Sequence, residues 1–124
     1  MASKHQILVA DDEDSYRDIL EIQLTKAGYE VILAGDGEEA ITHLGKSKID
    51  VALLDIKMPK VGGIQVLKFI NKNYPATKAI MLTSFADLKL AMEAREFGAV
   101  DFINKPFSLD DLLASIERAI ATKP

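Results

Sequence analysis

Five short apolar runs recur along the chain: Ile7-Leu8-Val9-Ala10, Val31-Ile32-Leu33-Ala34, Val51-Ala52-Leu53-Leu54, Ala79-Ile80-Met81-Leu82, and Val100 to Ile103. They do not alternate polar with apolar positions, which is how strands covered on both faces of a parallel sheet read. Segments of helical periodicity lie between and after them. In the last, Leu109, Leu112, Leu113, Ile116, Ala119 and Ile120 fall on one face at three- and four-residue steps. Ser108 with Asp111, and Asp36 with Glu39, have the spacing of a capping box. Gly28, Gly45 and Gly98 stand where helix C-caps are expected. Strand followed by helix five times over predicts a doubly wound α/β domain with right-handed crossovers.

In such a sheet every strand delivers its C-terminal residue to one edge, where ligands bind. The residues just after the apolar runs are Asp11-Asp12, Gly35-Asp36, Asp55, Thr83-Ser84 and Asn104-Lys105-Pro106. Carboxylates gathered in one crevice repel each other unless cations share the site. Mg²⁺ suits this set, because it takes oxygen ligands, usually one or two carboxylates with waters and a phosphate oxygen. The histidine and cysteine ligands that zinc favours are missing from this edge.

With Mg²⁺ present, phosphoryl transfer is the natural reaction, and a carboxylate can be its nucleophile, giving an aspartyl phosphate. Asp55, central and at the end of the third run, is the candidate acceptor. Asp11 and Asp12 would hold the metal, Lys105 would meet one phosphoryl oxygen, and the Thr83 hydroxyl another. Singly, each residue has an ordinary explanation. The acids at 11–14 could serve a helix dipole, Thr83-Ser84 could cap a helix, Lys105 could be solvated and Phe102 could be core. Asp55 is harder to explain away, since an acid closing a buried strand needs a partner.

Composition narrows the class. The chain has 124 residues, one domain's length, with 48% hydrophobic and 27% charged residues. A net charge of −4 argues against nucleic-acid binding by this chain itself, because phosphate neutralisation needs a basic face. No apolar run approaches the roughly 20 residues of a membrane helix. The N-terminus lacks a secretory apolar stretch, and there is no cysteine, so a cytoplasmic setting is expected.

Four motifs in order, Val9-Ala10-Asp11-Asp12-Glu13, Leu53-Leu54-Asp55-Ile56-Lys57-Met58-Pro59, Met81-Leu82-Thr83-Ser84 and Asn104-Lys105-Pro106-Phe107, resemble the receiver domain of two-component response regulators. The resemblance runs from Ile7 to about Ile120 and treats the whole chain as one receiver. It implies a flavodoxin-like fold with strand order 2-1-3-4-5 and five helices. It implies that Asp55 takes phosphate from a phosphohistidine on a sensor histidine kinase or phosphotransfer protein. Asp11, Asp12, Asp55 and the backbone carbonyl of Lys57 would be the Mg²⁺ ligands, Thr83 and Lys105 the phosphate-binding residues, and Phe102 the aromatic switch. A cis bond between Lys105 and Pro106 is implied too. The side chains of Lys57 and Phe85, two residues beyond acceptor and switch hydroxyl, would set the lifetime of the phosphoryl group.

The stretch from Gly98 to Leu113 is similar to receivers of the nitrogen-regulation class, and receivers often dimerise through the fourth and fifth helices. The chain ends at Lys123-Pro124, so it either stands alone or fronts a longer protein. On this reading it is a signalling switch acting only on itself. The alternatives are a phosphatase of the haloacid dehalogenase type and a receiver that works without phosphate. The first wants an aspartate where Lys57 stands. A flavin or dinucleotide module would want a glycine- or hydroxyl-rich loop where Asp11-Asp12-Glu13 stands.

Overall fold

The apolar runs become strands, and the polar-apolar segments between them become helices. A computed structural model describes residues 4–84 and 87–122. In chain order the elements are β1 (Gln6–Ala10), α1 (Asp14–Lys26), β2 (Glu30–Ala34), α2 (Gly37–Lys46), β3 (Val51–Asp55), α3 (Gly63–Asn73), β4 (Lys78–Thr83), α4 (Leu88–Glu96), β5 (Asp101–Asn104) and α5 (Leu109–Ala121). The strands form one parallel sheet in the order β2-β1-β3-β4-β5. The flavodoxin-like arrangement expected from the sequence is therefore present.

Alternation along each strand sorts its side chains into two layers. Leu8, Ala10, Ala52, Leu54, Ala79 and Met81 pack with Ala40, Leu44, Val66, Leu67, Ile70 and Ala94 of α2, α3 and α4. Ile7, Val9, Val51, Leu53, Ile80 and Leu82 pack with Leu20, Leu24, Leu112, Ile116 and Ala119 of α1 and α5. Both sets have to be apolar, so β1, β3 and β4 read as unbroken apolar runs. Among the described residues no helix is long and apolar enough to cross a membrane.

Most helix boundaries fall where the sequence marks them. Asp36 accepts from the Glu39 amide at 2.9 Å, and Ser108 accepts from the Asp111 amide at 3.1 Å. Gly28 and Gly98 follow the C-caps of α1 and α4 with φ of 99° and 92°, a backbone region that favours glycine. Gly45 departs from its expected role. It lies inside the last turn of α2, which continues to Lys46 and ends as the Ser47 amide bonds to the His43 carbonyl at 3.0 Å. Buried Leu44 anchors that turn, and glycine tolerates helical backbone at modest cost.

The fifth strand also begins later than expected. Val100 is 43% exposed and precedes β5, although its amide bonds to the Ala79 carbonyl at 2.8 Å. Asp101 fixes the start of the strand: its Oδ2 accepts from Ser115 Oγ at 2.5 Å and from an Arg118 guanidinium nitrogen at 3.0 Å, tying β5 to α5.

Strand order decides where chemistry can sit. From β1 the chain moves outward to β2, then returns to place β3 on the other side of β1. The C-terminal ends of β1 and β3 flank this reversal, where a crevice opens between diverging connections. Asp11 follows one of these strands and Asp55 ends the other.

Candidate functional site

Asp11 continues the β1 ladder, its amide donating to the Ala34 carbonyl at 3.1 Å, and its side chain is fully buried. One carboxylate oxygen accepts the Glu13 amide at 2.9 Å. The other takes the Lys105 ammonium at 2.6 Å. Asp12 is exposed at the rim. Asp55, paired with Leu82 across the sheet, is 8% exposed and lies 3.3 Å from Lys105 Nζ. Carboxylate oxygens of Asp11, Asp12 and Asp55 lie within 4.8 Å of one another.

The backbone around Asp55 is built closely. A Cβ on Gly63, at the start of α3, would sit 2.1 Å from the Asp55 carbonyl oxygen. Gly63 donates its amide to the Ile56 carbonyl at 2.9 Å, so α3 begins directly against the end of β3. A larger residue would force the two apart.

Charge in the pocket is unbalanced. The Asp55 carboxyl is raised from its ordinary 3.8 to about 6, chiefly by burial; Lys105 works against the rise, and the charges of Asp11 and Asp12 add to it. For Lys105, burial works to lower the pKa, but the hydrogen bond to Asp11 and the charge of Asp55 outweigh it and leave it raised. Lys105 is thus a firm ammonium, with Glu13 a further 3.7 Å neighbour. One ammonium leaves three clustered carboxylates undercompensated. An all-oxygen, net-negative donor set of this kind fits a hard divalent cation.

Thr83 ends β4 and is 3% exposed. Its hydroxyl donates to Asn104 Oδ1 at 2.7 Å, and its carbonyl accepts the Lys105 amide at 2.6 Å. The Lys105–Pro106 bond is cis, as the motif implied. Phe102 is half-buried and, with Thr83, Ser84, Ala91, Met92, Arg95 and Asn104, lines a cavity of about 370 Å³. Lys57 points its ammonium at Asp87 Oδ1, 3.2 Å away. Phe85 lies outside the described residues.

The fold therefore brings Asp11, Asp12, Asp55 and Lys105 into one pocket, with Thr83 and Phe102 on its β5 side. Four residues in or beside the pocket carry no assignment from the sequence, among them Tyr16, whose ring lies against Lys105. Asn104 was visible only as part of a motif, and Glu13 only as one of several acids. Asp87 is buried and accepts from Ser84 Oγ at 2.9 Å; the Ser-x-x-Asp spacing was its only signal. Tyr16 carried none.

A family model described as the response regulator receiver domain matches residues 7–117. The chain belongs to the response regulator receiver domain family. Receiver domains act by phosphorylation-driven switching. This receiver is 38% identical over 117 residues to the DNA-binding transcriptional regulator NtrC of Proteus hauseri, covering 94% of this chain and 25% of that protein. It is 40% identical over 120 residues to the probable transcriptional regulator ycf27 of Guillardia theta, covering 97% of this chain and 47% of that protein. The chain thus spans a quarter to a half of the length of these relatives. A crystal structure of a CheY-like response regulator receiver domain protein from Methanospirillum hungatei JF-1 matches with TM-score 0.92 and 32% identity, covering 96% of this chain and 95% of that one. The similarity to NtrC is consistent with the resemblance of the segment from Gly98 to Leu113 to receivers of the nitrogen-regulation class.

Proposed function

We infer that Asp55 is the phosphoacceptor of this receiver, working with Mg²⁺ at the acidic pocket. The observation that carries the reading is the placement of Asp55: nearly buried, beside an ammonium, and within reach of two more carboxylates. The donor is a phosphohistidine on a sensor histidine kinase or phosphotransfer protein. An Asp55 carboxylate oxygen forms the new bond to phosphorus as the bond from phosphorus to the histidine nitrogen breaks, and the electron pair leaves with the imidazole.

Asp11, Asp12, Asp55 and the Lys57 carbonyl hold the cation. When bound, Mg²⁺ neutralises charge on the phosphoryl oxygens. Lys105 turns its ammonium from Asp11 toward those oxygens. The phosphoryl group carries roughly −1.5 to −2 charge where the carboxylate carried about −1, and its oxygens draw the Thr83 hydroxyl away from Asn104. Phe102 then moves toward Thr83, into the adjoining cavity, and changes the surface formed by α4, β5 and α5.

The readout is a change of partner, with no reaction on another substrate. A homodimer through α4 and α5, in a cytoplasmic setting and without direct nucleic-acid contact by this chain, is the form this takes. A haloacid-dehalogenase-type hydrolysis is disfavoured by Lys57, which stands at the acid/base position and pairs with Asp87. Incubation with acetyl phosphate and Mg²⁺ tests the reading: one alkali-labile phosphate per chain supports it, and steady release of inorganic phosphate from small phosphoesters contradicts it.

A further inference from the structure

Tyr16 contributes no atom to the acidic pocket, yet it touches the residue on which the pocket depends. Lys105 Nζ stands 4.2 Å from the centre of the Tyr16 ring. The same ring packs on Phe107, with centroids 5.9 Å apart and planes tilted by 41°. Phe107 in turn packs against the layer under α1 and α5, and Leu20, one helical turn beyond Tyr16, is buried in that layer. The ring is therefore packed on Phe107, and the helix that carries it is anchored one turn further on by Leu20.

The resting ammonium is shared unequally. It is 2.6 Å from Asp11 but 3.3 Å from Asp55. To serve a phosphoryl group on Asp55 it has to give up its short bond to Asp11. A carboxylate holds an ammonium through directed hydrogen bonds, whereas an aromatic face attracts it with little directional demand. The ring can stay in contact while the ammonium exchanges oxygen partners. Because the Lys105 side chain is only 12% exposed, that attraction operates with little water to screen it.

We propose that Tyr16 is a positioning residue for Lys105, keeping its ammonium at the mouth of the pocket as it passes from Asp11 to the phosphoryl oxygens on Asp55. This rests on Lys105 having the phosphate-binding role given above. The phenolic hydroxyl has no part in it, and the negative face of the ring does the holding.

The test separates contact from function. In the unphosphorylated protein, NMR resonances of the Lys105 Cε protons lie upfield from ring current in wild type and Tyr16→Phe, and return to ordinary positions in Tyr16→Leu. Labelling by acetyl phosphate with Mg²⁺ proceeds at wild-type rate in Tyr16→Phe and falls about fivefold to thirtyfold in Tyr16→Leu, the range expected for a desolvated cation–π contact. In a Lys105→Ala background, Tyr16→Leu has no further effect. Pentafluorophenylalanine at position 16 keeps the shape of the ring and removes its negative face, so it reproduces the leucine defect even if the leucine variant folds poorly.

An unshifted Lys105 resonance in wild type, unimpaired labelling with the fluorinated ring, or an equal loss in the Lys105→Ala background would each overturn the proposal. Wild-type protein that takes no phosphate on Asp55 would overturn the acceptor reading and this functional role with it, while the ring-current shift still decides the contact.

Discussion

Thr83 and Asn104 face each other across the last register position of β4 and β5, and the Thr83 hydroxyl donates to Asn104 Oδ1 at 2.7 Å. The group expected to meet a phosphoryl oxygen is thus already engaged on the side away from Asp55. On the proposed mechanism this bond favours the resting arrangement, and breaking it belongs to the cost of switching.

Asn104→Ala releases the Thr83 hydroxyl. A hydrogen bond of this kind is worth about 0.5–1.5 kcal/mol net. The half-saturating acetyl phosphate concentration should therefore fall by roughly twofold to tenfold, because the phosphorylated form no longer competes with that bond. Phe102 ring resonances should move toward their phosphorylated positions without phosphate. Unchanged resonances and an unchanged midpoint would show that the bond does not hold the resting state.

The Asp55 carboxyl sits at about 6 in the folded protein against an ordinary 3.8, because burial penalises its charge. Its folded-state value is the higher, so its contribution to stability is fully present below about 3.8 and is lost as pH rises through about 6. Above that range the ionised carboxylate opposes folding by an amount on the order of 2 kcal/mol. Without metal, Asp55→Asn should raise the melting temperature at pH 8 by several degrees, with little change at pH 4. Cation binding needs the carboxylate, so Mg²⁺ affinity should fall up to tenfold per pH unit below about 6. Equal melting shifts at both pH values would contradict this.

Asp12 is the exposed member of the acidic group, so its loss should leave the fold intact. Asp12→Asn removes one charge from an all-oxygen site and should weaken Mg²⁺ binding roughly tenfold. Titration calorimetry reads the affinity directly, and a melting temperature within about a degree of wild type confirms that the scaffold is unaffected. Wild-type affinity would exclude Asp12 from the ligand set.

Gly63→Ala tests the close contact behind Asp55. The added methyl would meet the Asp55 carbonyl oxygen at 2.1 Å, so α3 must shift or β3 must bend. Overpacking of this kind typically costs about 1–3 kcal/mol. The variant should melt several degrees lower and label more slowly, because the displaced backbone carries Asp55. Wild-type stability would mean that this contact relaxes freely.

Where covalent pattern and environment coincide, the sequence was enough. Asp11, Asp55, Thr83 and Lys105 each follow or end a strand, so the parallel topology alone places them at one edge. Asp36 and Ser108 cap helices for reasons local to a few residues. Gly45 misled because the modest cost of glycine in a helix can be met by packing, and only buried Leu44 shows that the helix runs through it. Val100 misled because an apolar residue beside an edge strand need not be covered, and the tie from Asp101 to Ser115 and Arg118 joins residues far apart in sequence. Tyr16 was illegible for the same reason: its ring meets the ammonium of Lys105, a residue far away in sequence. Long-range contacts of side chains leave little trace in linear order.

The proposed function requires that phosphate goes to Asp55. Peptide mapping by mass spectrometry after incubation with acetyl phosphate and Mg²⁺ tests it most directly, with borohydride used to trap the acyl phosphate. One modified site at Asp55, no labelling of Asp55→Asn and no labelling under excess chelator is the predicted result. Stoichiometric labelling of Asp55→Asn, or a modified site elsewhere in the wild-type chain, would contradict it.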